Sequence, residues 1–517
     1  MIQGVHSFES ISGALREAQE RIEIIARGYG LDCYPTIYEL VNADQLHAVA
    51  AYGGFPTRYP HWRFGMEYDR LCKTYTYGLQ KIYELVINND PCYAYLLDNN
   101  TRTDHKMVMA HVCGHNDFFK NNAYFQPTCR KMVDEMANHG NRIRHYMDRF
   151  GQETVENFID SCLSIEDLID IHSPFMGKKS EPARYEFKGP VESEPDEVAP
   201  TRFAAKGYME AFINPAAALE AEATARAHTS AASKLIPAEP TRDVMQFLID
   251  HARLRPWQAD ILSIIRNEAY YFAPQGQTKI MNEGWATYWH STIMTQHICE
   301  PAEIICYADH CAATLATSRG RLNPYKLGVE LYRDIEERWN RGQFGPDYSS
   351  CEDWRARQDW DTSAGKGREK IFEVRRVHCD LTFLDEFLTQ DFCVRQKLFS
   401  FEYNADTSFY EIESREFKAV KAQLLKQLTN MGRPRITLLD ANHRNRGELY
   451  LKHDYDGVEL KLDYAKETLT HLHRLWTRPV HLQTVEGEHI TVISYDGKSI
   501  TSEKKELFKP GMVTIRN

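Results

Sequence analysis

A chain of 517 residues exceeds what one hydrophobic core ordinarily organises, so two or three domains are expected. Its 62 basic and 73 acidic side chains leave a formal charge of −11, and no run of Lys/Arg is dense enough to follow a phosphate backbone, which argues against nucleic acid as the main partner. The twelve cysteines are scattered without a CxxC pair, the N-terminus has no basic start followed by an apolar core, and no stretch of about eighteen apolar residues occurs, so a reduced, cytoplasmic chain with no membrane span is expected.

In chain order, residues 8–28 read as an amphipathic helix, with Ile11, Leu15, Ile22, Ile24 and Ile25 near a helical period and Gly28 and Gly30 as its stop. AYGGFPTRYPHW at 51–62 crowds Gly, Pro and aromatics into a packed loop, leading to a helix over 66–88 and another over 104–123. From 174 to 204 the text turns Pro-rich and charged, an extended crossing or linker, and the Ala-rich stretch after it reads as a peripheral helical arm. Helices resume near Pro240 and continue, with breaks, to about Val394. Beyond residue 405, ITLLD and ELYLKHD are β-type segments, 463–475 is helical, and PVHLQTVEGEHITVISYDG reads as a hairpin turning at Glu486-Gly487-Glu488. The expected fold is therefore mainly α: a large helical domain over 1–404, with a zincin-like helix pair, and a small ββαββ α+β domain over 405–517.

Chemistry concentrates in two of these helices. In MVMAHVCGHNDFFKNN, His111 and His115 lie four residues apart, so both imidazoles point the same way, one turn above the other. They share a stripe with Val108 and Phe118/Phe119, which implies burial, and Gly114 inside the helix implies close packing by a neighbour. Alone, such a pair fits two core histidines that satisfy each other as well as it fits a metal. KIMNEGWATYWHSTIM at 279–294 adds Glu283 and His290, seven residues apart and near one face. A carboxylate among Trp285, Tyr288 and Trp289 needs a proton, a partner or a metal. Two histidines and a glutamate from a later helix make the three-ligand set of a catalytic divalent cation, with zinc the leading choice and iron or manganese compatible.

Helical metallopeptidases use a similar pairing, and in some the glutamate opens a stretch like Glu283-Gly284-Trp285-Ala286. The residue after the first histidine is here Val112, however, so the water-activating glutamate of HExxH is missing, and Asp117, Glu268 or His290 is expected to substitute. For Glu268 an ion pair is the competing reading. In PHWRFGMEYDR, His61, Arg63 and Glu67 line a substrate cleft or form a structural ion-pair cluster, Arg63 being the best anion clamp. No phosphate-binding glycine loop and no G-x-S-x-G elbow is present, and Cys113 reads as a small apolar filler.

Across nearly its whole length the chain resembles the SpoVR family, the stage V sporulation protein R group. The resemblance rests on YPHWRFGMEYDR at 59–70, VMAHVCGHNDFFKNN at 108–122, RNEAYYFAPQGQTKIMNEGWATYWH at 266–290 and GRPRITLLDANHRNRGELYLKHDYDG at 432–457. It implies a role in making the spore cortex, a peptidoglycan layer. Through relatives in bacteria that form no spores, it also implies stress physiology and association with a PrkA-like serine kinase and its operon partner. It supplies no chemistry, so the ligand set above stands on spacing and burial. Two readings follow: a metal-dependent hydrolase of an amide bond in a peptide or cell-wall precursor, or a non-enzymatic scaffold working with the kinase.

Overall fold

The computed structural model describes residues 9–77, 82–176, 215–216, 220, 236–317, 322–404 and 409–507. The Pro-rich crossing and the Ala-rich arm fall almost entirely outside these residues. The architecture is mainly α with a small α+β part, as the sequence patterns indicate. Among the described residues no helix is long and apolar enough to cross a membrane.

Contacts divide the chain into two discontinuous units, one formed by 1–157 with 270–433 and the other by 158–269 with 434–517. The sequence reading draws its boundary at 404/405. Residues up to 433 group with the first unit because the helix Phe417–Leu428 sets Phe417, Leu424, Leu425 and Leu428 against that unit's core, and Lys421 Nζ pairs with Asp385 at 2.9 Å.

The first unit opens with a four-stranded sheet that helical periodicity does not reveal. Its strands β1 (Glu9–Ser10), β2 (Thr36–Val41), β3 (Glu84–Ile87) and β4 (Cys92–Leu97) take the order β1-β2-β4-β3, with β2 and β4 parallel and the other pairs antiparallel. The helix expected over 66–88 is instead Trp62–Thr76, and Glu84–Ile87 is a strand. The reason is tertiary: Leu85 and Val86 lie opposite Tyr95 and Ala94 of β4, and that pairing overrides a weak local helical pattern.

Four residues after β4 begins the helix Arg102–Asn121, which is buried from Thr103 to Phe119. Thr101 and Asp104 form a reciprocal capping box at its start, each side chain accepting the other's backbone N–H at 3.1 Å. Crossing it is the helix Lys279–Ile293, whose far side meets the helix Pro324–Asn340. Trp285, Trp289, Tyr332, Phe383 and Phe387 fill the core around these crossings. The start of Lys279–Ile293 has no local cap. Buried Asp380 serves from outside, its two carboxylate oxygens accepting the N–H groups of Ile280 and Met281 at 2.8 and 2.9 Å.

The second unit holds a five-stranded sheet of β7 (Ile436–His443), β8 (Glu448–His453), β9 (Val480–Glu486), β10 (His489–Tyr495) and β11 (Ile500–Leu507), the hairpin β5 (Ser400–Asn404) and β6 (Phe409–Ser414) belonging to the first unit. The helix Leu462–Trp476 connects β8 to β9, which run parallel. The β9–β10 hairpin turns at Gly487, whose positive φ suits a glycine, and β11 extends the expected ββαββ unit by a strand.

Candidate metal centre

The site is built by how closely three helices approach. A Cβ placed on Gly114 would lie 2.5 Å from Cα of Ala286, so Arg102–Asn121 and Lys279–Ile293 touch nearly backbone to backbone. On the other side, a Cβ on Gly284 would lie 2.5 Å from the backbone of Gly328 in Pro324–Asn340. The stretch Glu283-Gly284-Trp285-Ala286 thereby acquires a physical reading: Gly284 and Ala286 admit the two neighbouring helices, and the Trp285 indole N–H donates to Asp117 at 2.8 Å. Glu283 is left at the level of His111 and His115.

The three side chains converge. His111 Nε2 and His115 Nε2 are 3.0 Å apart, and Glu283 Oε2 lies 3.6 and 3.5 Å from them respectively. A point equidistant from these atoms lies about 2.0 Å from each, within the ~2.0–2.2 Å that zinc keeps to nitrogen and oxygen ligands. His115 Nδ1 faces Asn282 Oδ1 at 2.9 Å. A carbonyl oxygen only accepts, so Nδ1 carries a hydrogen and Nε2 turns its lone pair inward in the neutral ring. Glu283 Oε2 is buried without a hydrogen bond, although its side chain as a whole is 19 % exposed.

The electrostatics are those of a tightly bound anion. Burial opposes ionisation of Glu283, but the close approach of His111 and His115 outweighs it and holds the carboxyl well below the usual range. Burial likewise opposes charge on His115, and Glu283 reverses that, raising the imidazole. Three converging donor atoms of this kind are satisfied by protons or by a cation.

A family described as "SpoVR like protein" matches residues 10–433, and one described as "SpoVR-like C-terminal domain" matches 434–487. The chain belongs to the SpoVR family. It is 29 % identical over 492 residues to "Uncharacterized protein YcgB" of Escherichia coli (strain K12), a match covering 89 % of this chain and 90 % of that protein. No solved structure matches. The seam between the two SpoVR segments coincides with the contact boundary after Arg433.

The remaining residues singled out in this SpoVR chain have varied surroundings. His290 is buried with its ring centre 5.2 Å from that of His111 and its Nδ1 3.1 Å from the Tyr307 hydroxyl. Burial, reinforced by the neighbouring His111, pushes its pKa well down and favours the neutral ring. Asp117 is committed elsewhere: fully buried, it accepts from Trp285 and from the Asp32 backbone N–H at 2.8 Å, with the Arg375 guanidinium 3.4 Å away. Burial lifts its carboxyl to about 6 against the pull of Arg375. Glu268 is buried on the helix Pro256–Gln277, in the part of it that belongs to the second unit. His61 is the N-cap of Trp62–Thr76, its Nδ1 accepting from Arg63 N–H, while Arg63 is exposed and Glu67 pairs with Arg70 at 2.9 Å.

Sequence reasoning missed Glu84 and Tyr325. Glu84, on β3, has its carboxyl raised by burial against the opposing influence of His111 and His115, and Glu283 repels it. It falls within the span expected as a helix over 66–88, a reading that gives it no relation to the histidines. Leu85, Val86 and Ile87 are all apolar, so no alternation marks the strand or the face that Glu84 takes. Tyr325 stacks its ring 6.3 Å from His111, and burial, with the charge of Glu283 next, raises its hydroxyl; no spacing rule links it to the motifs.

Proposed function

We propose that this SpoVR-family chain is a metal-dependent hydrolase whose divalent cation, zinc by ligand type, is held by His111, His115 and Glu283. The observation that carries the reading is the triangle of donor atoms, with an equidistant point about 2.0 Å from each. Asn282 supports it by fixing the His115 tautomer, the outer-shell device common to metal-bound histidines.

A bound cation of this kind supplies an acidified water and polarises a carbonyl. The chain's own groups match the other needs of amide hydrolysis. Glu84 replaces the carboxylate that Val112 displaces from HExxH, as the proton acceptor beside the ligand set. Tyr325, its ring stacked 6.3 Å from that of His111 and its O–H kept protonated by burial and the charge of Glu283, suits stabilisation of a developing oxyanion. His290 is kept neutral by burial, with one ring nitrogen held by Tyr307, and suits proton transfer to the leaving amine. The substrate class is an amide of a peptide or cell-wall precursor, in keeping with a family named for spore-cortex synthesis.

The test is metal analysis of untagged protein. Wild type should lose one ion per chain on His111→Ala and on Glu283→Gln, and Glu84→Gln should keep the ion while losing amidase turnover. Unchanged metal content in both ligand variants refutes the assignment. The centre then becomes a proton-satisfied polar network in a scaffold.

A further inference from the structure

The loop over 52–61 is flanked by two helices, Ala43–Ala51 and Trp62–Thr76, and a second group of metal-type donors bridges them. Asp44 and His47 lie three residues apart on the first helix, hence on one face, and Cys72 approaches from the second. One ligand atom from each falls within 4.8 Å of the others, and His47 Nδ1 is 3.6 Å from Cys72 Sγ. A tetrahedral zinc with its nitrogen ligand at ~2.05 Å and its thiolate at ~2.3 Å sets those two atoms ~3.5–3.6 Å apart.

A thiol–imidazole hydrogen bond tolerates the same distance, so Asp44 decides the matter. Capping of the first helix is already complete, because Asn42 and Gln45 bond each other's backbone N–H groups at 2.9 Å. Asp44 is exposed, makes no hydrogen bond or ion pair among the described residues, and acts on His47 through its charge. Its carboxylate is thus an uncommitted oxygen beside a buried imidazole and a half-buried thiol. The imidazole is held edge-on to Tyr75 with ring centres 5.1 Å apart and is buried, so the nitrogen donor is orientationally fixed. Mixed nitrogen, sulfur and oxygen donors select a borderline-soft divalent ion over magnesium or calcium.

We propose that Asp44, His47 and Cys72 form a second, thiolate-containing site for a cation such as zinc, which clips the helix Ala43–Ala51 to the helix Trp62–Thr76. Binding removes the Cys72 S–H proton to solvent and forms a metal–sulfur bond, with no change of oxidation state. The clip closes the loop that precedes His61 and Arg63. It is independent of the His111 centre, which has no sulfur ligand.

That difference makes cobalt(II) the probe. Full-length protein, reduced with a phosphine, is titrated with cobalt and followed by absorbance. Wild type should show the thiolate-to-cobalt charge-transfer band in the near ultraviolet, and Cys72→Ser should abolish it while the ion of the His111 centre remains by elemental analysis. Asp44→Asn, at an exposed position that leaves the fold intact, should weaken the cobalt affinity read from that band by more than about tenfold. Absence of the band in wild type at saturating cobalt, its persistence in Cys72→Ser, or equal affinity in Asp44→Asn overturns the proposal.

Discussion

Replacing Gly114 by Ala tests how far the ligand set depends on helix contact. The added Cβ would stand 2.5 Å from Cα of Ala286, where ordinary contact begins near 3.4 Å, so the helices must part by about 1 Å. Backbone cannot rotate out of the way as a side-chain end can. Overpacking of this kind costs about 1–3 kcal/mol, against which alanine returns about 1 kcal/mol of helix propensity. Gly65 is the control, since it lies in the helix Trp62–Thr76 and a Cβ there meets nothing within 4 Å. Chemical denaturation should therefore find Gly65→Ala stabilised by about 0.5–1 kcal/mol and Gly114→Ala destabilised by up to about 2 kcal/mol. Zinc affinity should fall only in the latter, because the same 1 Å moves both imidazoles from Glu283. Equal stability in the two variants would refute the contact argument.

Other outcomes follow from single contacts. Asn282→Ala frees the His115 ring to rotate and should lower metal affinity about 10–100-fold by calorimetric titration, with little change in fold. Burial raises Asp380 to about 7, above its unfolded value of 3.8. The native state therefore binds the extra proton across that window and loses stability as pH rises through it, so the stability of wild type relative to Asp380→Asn should fall between pH 5 and pH 8 in denaturant titrations. A gap that stays constant would contradict this. Trp285→Phe removes the indole donor to fully buried Asp117 and should cost about 1.5–3 kcal/mol by the same assay. Glu303→Gln breaks the pair with buried Lys106 at 2.8 Å and should destabilise measurably, whereas Asp69→Asn, whose pair with Lys73 is mostly exposed, should have almost no effect.

What the sequence made legible was governed by local rules. The four-residue spacing of His111 and His115, the unfavourable Gly114 inside a helix and an acid among tryptophans each carry a consequence that needs no knowledge of the rest of the fold. The structure brings all three to one place. The hairpin around Gly487 was legible for the same reason. The four-stranded sheet was not, because β2 and β4 pair across some fifty residues and Glu84–Ile87 becomes a strand only when β4 lies beside it. That error hid Glu84, the carboxylate proposed above to replace the one absent at position 112. Asp117, the nearest acid in the text, proved to be held by Trp285, Asp32 and Arg375. On the proposed reading the general base comes from the strand Glu84–Ile87 and not from the position next to the first histidine. A motif search that demands the base beside the first histidine would pass over a site of the proposed kind. Glu84→Gln separates the two ideas, since it should spare the metal and remove the turnover.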